Sequence, residues 1–130
     1  MPNASSVTVK DTANADKVFD VENPSSGVTP AVYSQTLASG KQAFRPRIEA
    51  INRTVNGSDT DRKGLITGYF PIVETINGVQ TVTKFSFFKL ESKTNMEAED
   101  AVLQDHATQF LNFCANSNIK KTIANGQNQT

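Results

Sequence analysis

The feature that most constrains this chain is the pair Asn77-Gly78, which separates two long segments of alternating apolar and polar residues. A type I′ turn needs a positive φ angle at both central positions, and Asn-Gly is the strongest short signal for it. The pair therefore predicts a tight hairpin over residues 62–91 with Ile76 opposite Val79. A chain built around such a hairpin has an antiparallel sheet at its centre.

The register set by this turn divides the hairpin side chains between two faces. Counting back from Ile76 and Val79 puts Phe70 opposite Phe85. One face, predicted to be core, then holds Ile66, Phe70, Ile72, Phe85 and Phe87. The other face is polar, basic and aromatic, and it holds Leu65, Thr67, Tyr69, Lys84, Ser86 and Phe88. A one-residue slip would exchange the faces, and Phe87-Phe88 is the candidate position for a bulge.

Shorter alternating segments precede the hairpin. Residues 7–10 and 18–21 flank a polar turn and predict an N-terminal β-hairpin, and residues 31–38 predict a third strand. The segment 44–53 alternates cleanly and puts five residues on one side: Arg45, Arg47, Glu49, Ile51 and Arg53. Pro46 has no N–H for a ladder, so this strand begins near it, bulges there or lies at an edge.

After the hairpin the apolar period changes from two to about 3.6 residues. Thr94 and Glu97 fit a capping box, and an apolar stripe predicts a helix from residue 98 to 114. Asn116 to Asn118 can cap a second helix that stops at Gly126. The predicted fold is one α+β domain over 1–130, with an N-terminal β-hairpin, an antiparallel five-stranded sheet and two C-terminal helices.

Composition indicates a thin core and an uneven charge distribution. The 130 residues are 37% hydrophobic and include no Trp, so we expect a partner chain to cover part of the apolar surface. The formal net charge is zero, yet residues 41–93 carry nine basic and five acidic groups. This concentration points to a polyanion facing the sheet. On charge alone, a solvated sheet face with scattered lysines and arginines is the alternative.

The residues offer little for catalysis. His106 is the only histidine and Cys114 the only cysteine, and neither belongs to a metal-ligand repeat. We expect a half-buried His106, a buried Cys114, and no enzyme, metal or cofactor site. The lone cysteine favours a reduced, intracellular setting. Neither a membrane-spanning run nor a secretion signal is apparent.

The order of elements resembles that of the coat proteins of single-stranded RNA bacteriophages of the levivirus type. Local matches are Arg62-Lys63 before the strand that ends at Phe70-Pro71, the Asn77-Gly78 turn, and the Thr94-Asn95 helix start. The segment 117–126 is similar to the short last helix of that family. The resemblance covers nearly the whole chain.

The resemblance implies a capsid protein. Family members form homodimers whose helices pack across the sheet of the partner, and the dimers assemble in the bacterial host cytoplasm into an icosahedral virion. The implied dimer interface includes Val102, His106, Phe110 and Leu111, and Asn77 and Gly78 are the implied contacts between dimers. Family members usually carry a longer loop where this chain has the minimal Asn77-Gly78 turn.

The resemblance also implies that the sheet face opposite the helices binds hairpins of the genomic RNA, for packaging and translational repression. The expected RNA-binding residues are Arg45, Arg47, Glu49, Ile51, Arg53, Leu65, Thr67, Tyr69, Lys84 and Ser86. Thr67 stands where the family carries a lysine. Two alternatives are a non-viral dimeric α+β module that binds RNA or another anion, and a small enzyme with its site between sheet and helix.

Overall fold

The computed structural model describes residues 5–25, 29–35, 44–54 and 60–128. These residues form six strands and two helices, and they fall into two compact units, Met1–Lys93 and Thr94–Thr130. The strands are β1 Val7–Lys10, β2 Asp16–Asn23, β3 Ala31–Gln35, β4 Arg47–Thr54, β5 Asp61–Ile76 and β6 Val79–Asn95. The helices are α1 Asp100–Cys114 and α2 Ser117–Asn125. The predicted α+β class is confirmed.

All six strands belong to one sheet in the order β1-β2-β3-β4-β5-β6. Each strand therefore pairs with the next one along the chain, and the pairs from β1 to β5 are antiparallel. The N-terminal hairpin, β1 and β2, continues this sheet. The sheet thus has six strands where the sequence predicted five.

Both hairpin turns follow from their residues. In the first turn, Asp11 Oδ1 accepts hydrogen bonds from the N–H groups of Ala13 at 2.9 Å and Ala15 at 3.0 Å. In the second turn, Asn77 and Gly78 have φ angles of 51° and 79°. Positive φ at both positions is what a type I′ turn requires, so the predicted hairpin turn is confirmed.

Strand β4 begins directly after Pro46, which is one of the three possibilities that the missing proline N–H left open. The Pro46 carbonyl accepts a hydrogen bond from the Gln35 N–H at 2.9 Å, which ties the start of β4 to the end of β3. The predicted third strand is confirmed over Ala31–Gln35. Its continuation to residue 38 and the loop over 55–59 lie outside the described residues.

Strands β5 and β6 are much longer than the strand beside them. Strand β5 has 16 residues, and its pairing with β4 runs from Arg62 to Tyr69. Within the described part of the chain, residues 70–76 of β5 continue past this ladder beside β6. We call residues 70–85 the distal ribbon; it ends in the Asn77-Gly78 turn.

The sequence predicted the N-terminal cap of α2 correctly but not that of α1. The prediction of a Thr94-Glu97 capping box is wrong. Strand β6 runs to Asn95, and the Asn95 side chain accepts a hydrogen bond from the Glu97 N–H at 2.8 Å. Helix α1 begins only at Asp100. The cap of α2 is confirmed: Asn116 Oδ1 accepts from the Asn118 N–H at 3.0 Å, and Gly126 ends the helix with a φ angle of 68°.

The core is small, as composition indicated. Among the described residues, the buried apolar side chains are Phe19, Ala31 and Ile51, with exposed fractions of 4%, 7% and 9%. Phe19 is the largest of them and pairs with Val7 on one side and Gln35 on the other. The fold therefore depends heavily on one aromatic ring.

Replacing Phe19 with Ala should lower the free energy of unfolding by about 3–5 kcal/mol, since it removes a buried ring and leaves a cavity. Urea denaturation followed by circular dichroism measures this loss. The control is Phe87→Ala, whose ring is 55% exposed and whose loss should cost far less. Equal losses for the two variants would contradict the assignment of Phe19 to the core.

Candidate nucleic-acid interface

The register between β4 and β5 brings the predicted polar and basic residues together. Arg47 lies opposite Tyr69, Glu49 opposite Thr67, Ile51 opposite Leu65, and Arg53 opposite Lys63. Directly opposed residues share a face, because side chains alternate along each strand. The prediction that these residues of β4 and β5 lie on one face is confirmed. We call this side of β4, β5 and β6 the basic face.

Contacts between β5 and β6 identify which residues of β6 belong to the basic face. The rings of Tyr69 and Phe85 have centroids 5.2 Å apart, and the Lys63 Nζ lies 3.7 Å from a Glu91 carboxylate oxygen. Side chains of neighbouring strands can meet this closely only on the same face of the sheet. By alternation, the β6 members of the basic face are Phe85, Phe87, Lys89, Glu91 and Lys93.

The faces predicted for β6 are therefore wrong. Phe85 lies on the basic face, whereas Phe88 packs against Phe70 on the other side, with ring centroids 5.9 Å apart. Alternation puts Ser86 with Phe88. Ser86 is thus separated from Tyr69, with which the sequence grouped it. Lys84 lies nearer the turn, and its face stays a prediction.

The error comes from the register. A Cβ atom added at Gly64 would lie 2.5 Å from Ser92 Oγ, so Gly64 and Ser92 share a face. Counting from the turn would instead put Gly64 opposite Glu91. A one-residue shift therefore lies between the Asn77-Gly78 turn and Phe85, and not at Phe87-Phe88.

Two predicted RNA-binding residues of the β4 segment differ from the rest in their surroundings. Arg45 precedes β4 rather than lying in it, and its Nε is buried without a hydrogen bond to any residue that the structure describes. Ile51 shares the parity of Arg47 and Arg53, but it is only 9% exposed. Ile51 therefore serves the core of the chain, and the exposed surface comes from its neighbours.

Three lysines of the basic face are paired with carboxylates. Glu91 contacts two lysines, Lys89 at 3.0 Å and Lys63 at 3.7 Å, and Lys93 lies 3.5 Å from Asp61. Sequence reasoning did not include these three lysines in the interface. The alternation of β5 places Lys63 on the same face as Leu65 and Thr67. The wrong register put Lys89 and Lys93 on the opposite face.

The shared carboxylate is held in its charged form. The hydrogen bond from Lys89 and the charge of Lys63 lower the pKa of Glu91 below its ordinary value of 4.5. At neutral pH, Glu91 is therefore ionised between two ammonium groups. These groups are about half exposed, so a solvent ion or a polyanion can reach them.

Aromatic surface lies beside these charges. Phe85 and Phe87 are 62% and 55% exposed, and Tyr69 is half-buried against Phe85. Exposed aromatic faces next to cations can stack on unpaired nucleobases while the cations bind phosphates. This arrangement suits a single-stranded or looped nucleic acid better than a small ligand.

The residues predicted to contact other subunits are exposed in the single chain. On α1, Val102, Phe110 and Leu111 are 45%, 58% and 51% exposed. His106 is exposed rather than half-buried as predicted, since no residue of α1 is buried, and Cys114 is half-buried rather than buried. Asn77 and Gly78 are exposed at the tip of the distal ribbon.

The described residues also bear on metal binding and on membrane crossing. No group of three or more His, Cys, Asp or Glu side chains there is arranged to hold a metal ion. No helix in that part of the chain is long and apolar enough to cross a membrane.

Solved structures with the same fold include chains of virus-like particles and a bacteriophage capsid protein. The chain superposes on a chain from the virus-like particle of Beihai levi-like virus 21 with a TM-score of 0.84 and 12% identity, over 99% of each chain. The virus-like particle of bacteriophage NT-214 gives 0.80 and 13%, over 98% of each chain. The capsid protein of bacteriophage GA gives 0.72 and 13%, over 95% of each chain.

These likenesses cover 95–99% of the chain, so the fold is shared over nearly all of it. No protein-family model and no curated protein matches the sequence. The shared property is the fold, which persists where sequence identity has almost vanished.

The Glu91 contacts predict a measurable titration. Carboxyl NMR should give a Glu91 pKa below 4.5, and Lys89→Gln should raise that pKa more than Lys63→Gln does, because the Lys89 hydrogen bond is the largest cause. Since the folded-state pKa is depressed, any stability from these pairs is present above the unfolded pKa and lost as pH falls through the folded pKa. An unchanged pKa in Lys89→Gln would show that the pairing is absent in solution.

Proposed function

We propose that this chain is the coat protein of a single-stranded RNA bacteriophage, which assembles as homodimers into a closed shell and binds the genome on its basic face. The end-to-end match to three phage capsid folds, with TM-scores of 0.72 to 0.84, carries the proposal. A structural role follows from it, without an enzymatic reaction. Its location is the virion, assembled in the host cytoplasm.

Exposed apolar side chains support dimerisation. Helix α1 leaves Val102, Phe110 and Leu111 about half exposed. Surface of this kind marks an interaction site in a soluble protein. In the proposed dimer, α1 packs across the partner's sheet, and Val102, His106, Phe110 and Leu111 line the interface.

The distal ribbon supports a role in contacts between dimers. Its tip presents Ile76 and Val79, which are 48% and 63% exposed beside the Asn77-Gly78 turn. A two-stranded ribbon is only marginally stable alone in water, so neighbouring subunits would stabilise it. We propose that Asn77 and Gly78 lie at these contacts.

The basic face supports RNA binding. It combines Arg47, Arg53 and three lysines with the exposed rings of Phe85 and Phe87. Guanidinium and ammonium groups bind phosphates, and the rings offer stacking surface to looped bases. The proposed set keeps Arg47, Glu49, Arg53, Leu65, Thr67 and Tyr69 and adds Lys63, Phe85, Lys89 and Lys93.

A second candidate function is a non-viral dimeric module that binds RNA through the same face. The basic face favours this function, because RNA can bind to that face without assembly of a shell. Particle formation distinguishes the two functions.

Negative-stain electron microscopy of the purified chain should show closed particles of uniform diameter. The control is Phe110→Asp, which puts a charge into the proposed dimer interface and should abolish particles while the monomer stays folded by circular dichroism. A parent protein that remains small and soluble over a wide concentration range would refute the coat function and leave the RNA-binding module. Particles formed equally well by Phe110→Asp would refute the proposed interface.

Two matched pairs of variants test the RNA face. Arg47→Ala should weaken binding to single-stranded RNA and flatten the salt dependence by about 0.7 in slope, whereas Arg62→Ala, on the other face, should not. Phe85→Ala should cost about 1–3 kcal/mol on a looped RNA, whereas Phe88→Ala should not affect binding. Fluorescence anisotropy measures both effects. Equal losses within a pair would mean that the two faces are not distinguished by RNA.

A further inference from the structure

Glu91 pairs with two cations of the basic face at once. Its oxygen lies 3.0 Å from Lys89 Nζ and 3.7 Å from Lys63 Nζ, so it joins β5 to β6 at the edge of that face. The side chains of Glu91, Lys63 and Lys89 are 45%, 54% and 51% exposed. A phosphate approaching either lysine therefore competes directly with Glu91.

The register gives a physical reason for a carboxylate at this position. Arg53 lies directly opposite Lys63, and two like charges facing each other across a ladder destabilise the sheet. Glu91 offsets that repulsion from the other side of Lys63. A polyanion would offset it equally well, so protein carboxylate and bound phosphate are alternative partners for the same cations.

We propose that Glu91 is a specificity-determining residue of the basic face, which pairs with Lys63 and Lys89 and thereby weakens their binding to arbitrary single-stranded RNA. This inference rests on the RNA-binding function proposed above. A short or poorly fitting RNA cannot compensate for displacing Glu91, whereas an RNA that also contacts Arg47 and the exposed rings can. The carboxylate thus acts by repelling the wrong partners as much as by orienting the lysines.

The test compares Glu91→Gln with a variant that loses the same charge elsewhere. Glu74→Gln is the control, because Glu74 is exposed on the distal ribbon. The probe is an oligouridylate of about twenty nucleotides, which has no stable hairpin and tracks along cationic grooves. Affinity is measured by fluorescence anisotropy with the purified full-length chain at several salt concentrations.

Glu91→Gln should bind the oligouridylate about threefold or more tighter at low salt, as expected for removing one negative charge close to a phosphate. Its salt dependence should steepen by about 0.7 in slope for each lysine that is freed. Glu74→Gln should behave like the parent. In a Lys63→Gln, Lys89→Gln background, the effect of Glu91→Gln should fall to the level of the control, because the pairing is already lost.

Each result decides between the readings. Equal affinities and salt slopes for Glu91→Gln and the parent, with the parent binding RNA, would overturn the role of Glu91 and leave the RNA-binding function standing. A parent that fails to bind while Glu91→Gln binds would support the restraint by Glu91 and refute RNA binding by the parent. Failure of both proteins to bind would refute both proposals. Glu91→Gln that is less stable to urea, yet unchanged in RNA binding, would assign Glu91 a purely structural role.

Discussion

The register between neighbouring strands is the constraint on which this structure depends. Because side chains alternate along a strand, the register alone decides whether Arg47 stands beside Tyr69 and whether Lys63 reaches Glu91. The ladder of β4 and β5 fixes the first half of the basic face, from Lys63 to Tyr69. The contacts across β5 and β6 fix the second half.

Much of the fold could be predicted from the sequence. The Asn77-Gly78 turn, the strand start after Pro46 and the caps of α2 all depend on backbone chemistry that only a few residue types satisfy, and each is found where expected. The start of α1 was mispredicted because Thr94 and Glu97 satisfy a capping pattern, while the alternation of β6 continues to Asn95 and holds that segment extended.

The candidate site was predicted only in part. Residues of β4 and β5 were grouped correctly because no irregularity lies between them. Those of β6 were grouped wrongly because one register shift between the turn and Phe85 reverses every later assignment. The alternating pattern itself does not locate the shift, although Pro71 lies in that stretch of β5 and a proline inside a strand is typical of a bulge. The ion pairs of Lys63, Lys89 and Lys93 could be recognised only after that shift was known.

The distal ribbon is a long arm, so a small rotation at its base moves its tip by a larger distance. From Phe70 to Ile76, β5 extends beyond its ladder with β4, which corresponds to about 23 Å at roughly 3.3 Å per residue. A rotation of about 10° at its base would move the tip by about 4 Å without changing any pair of the β4–β5 ladder. In the proposed shell, bending of this arm would let identical chains reach neighbours at unequal distances, while the surface that carries the arginines and lysines of β4 and β5 keeps its shape.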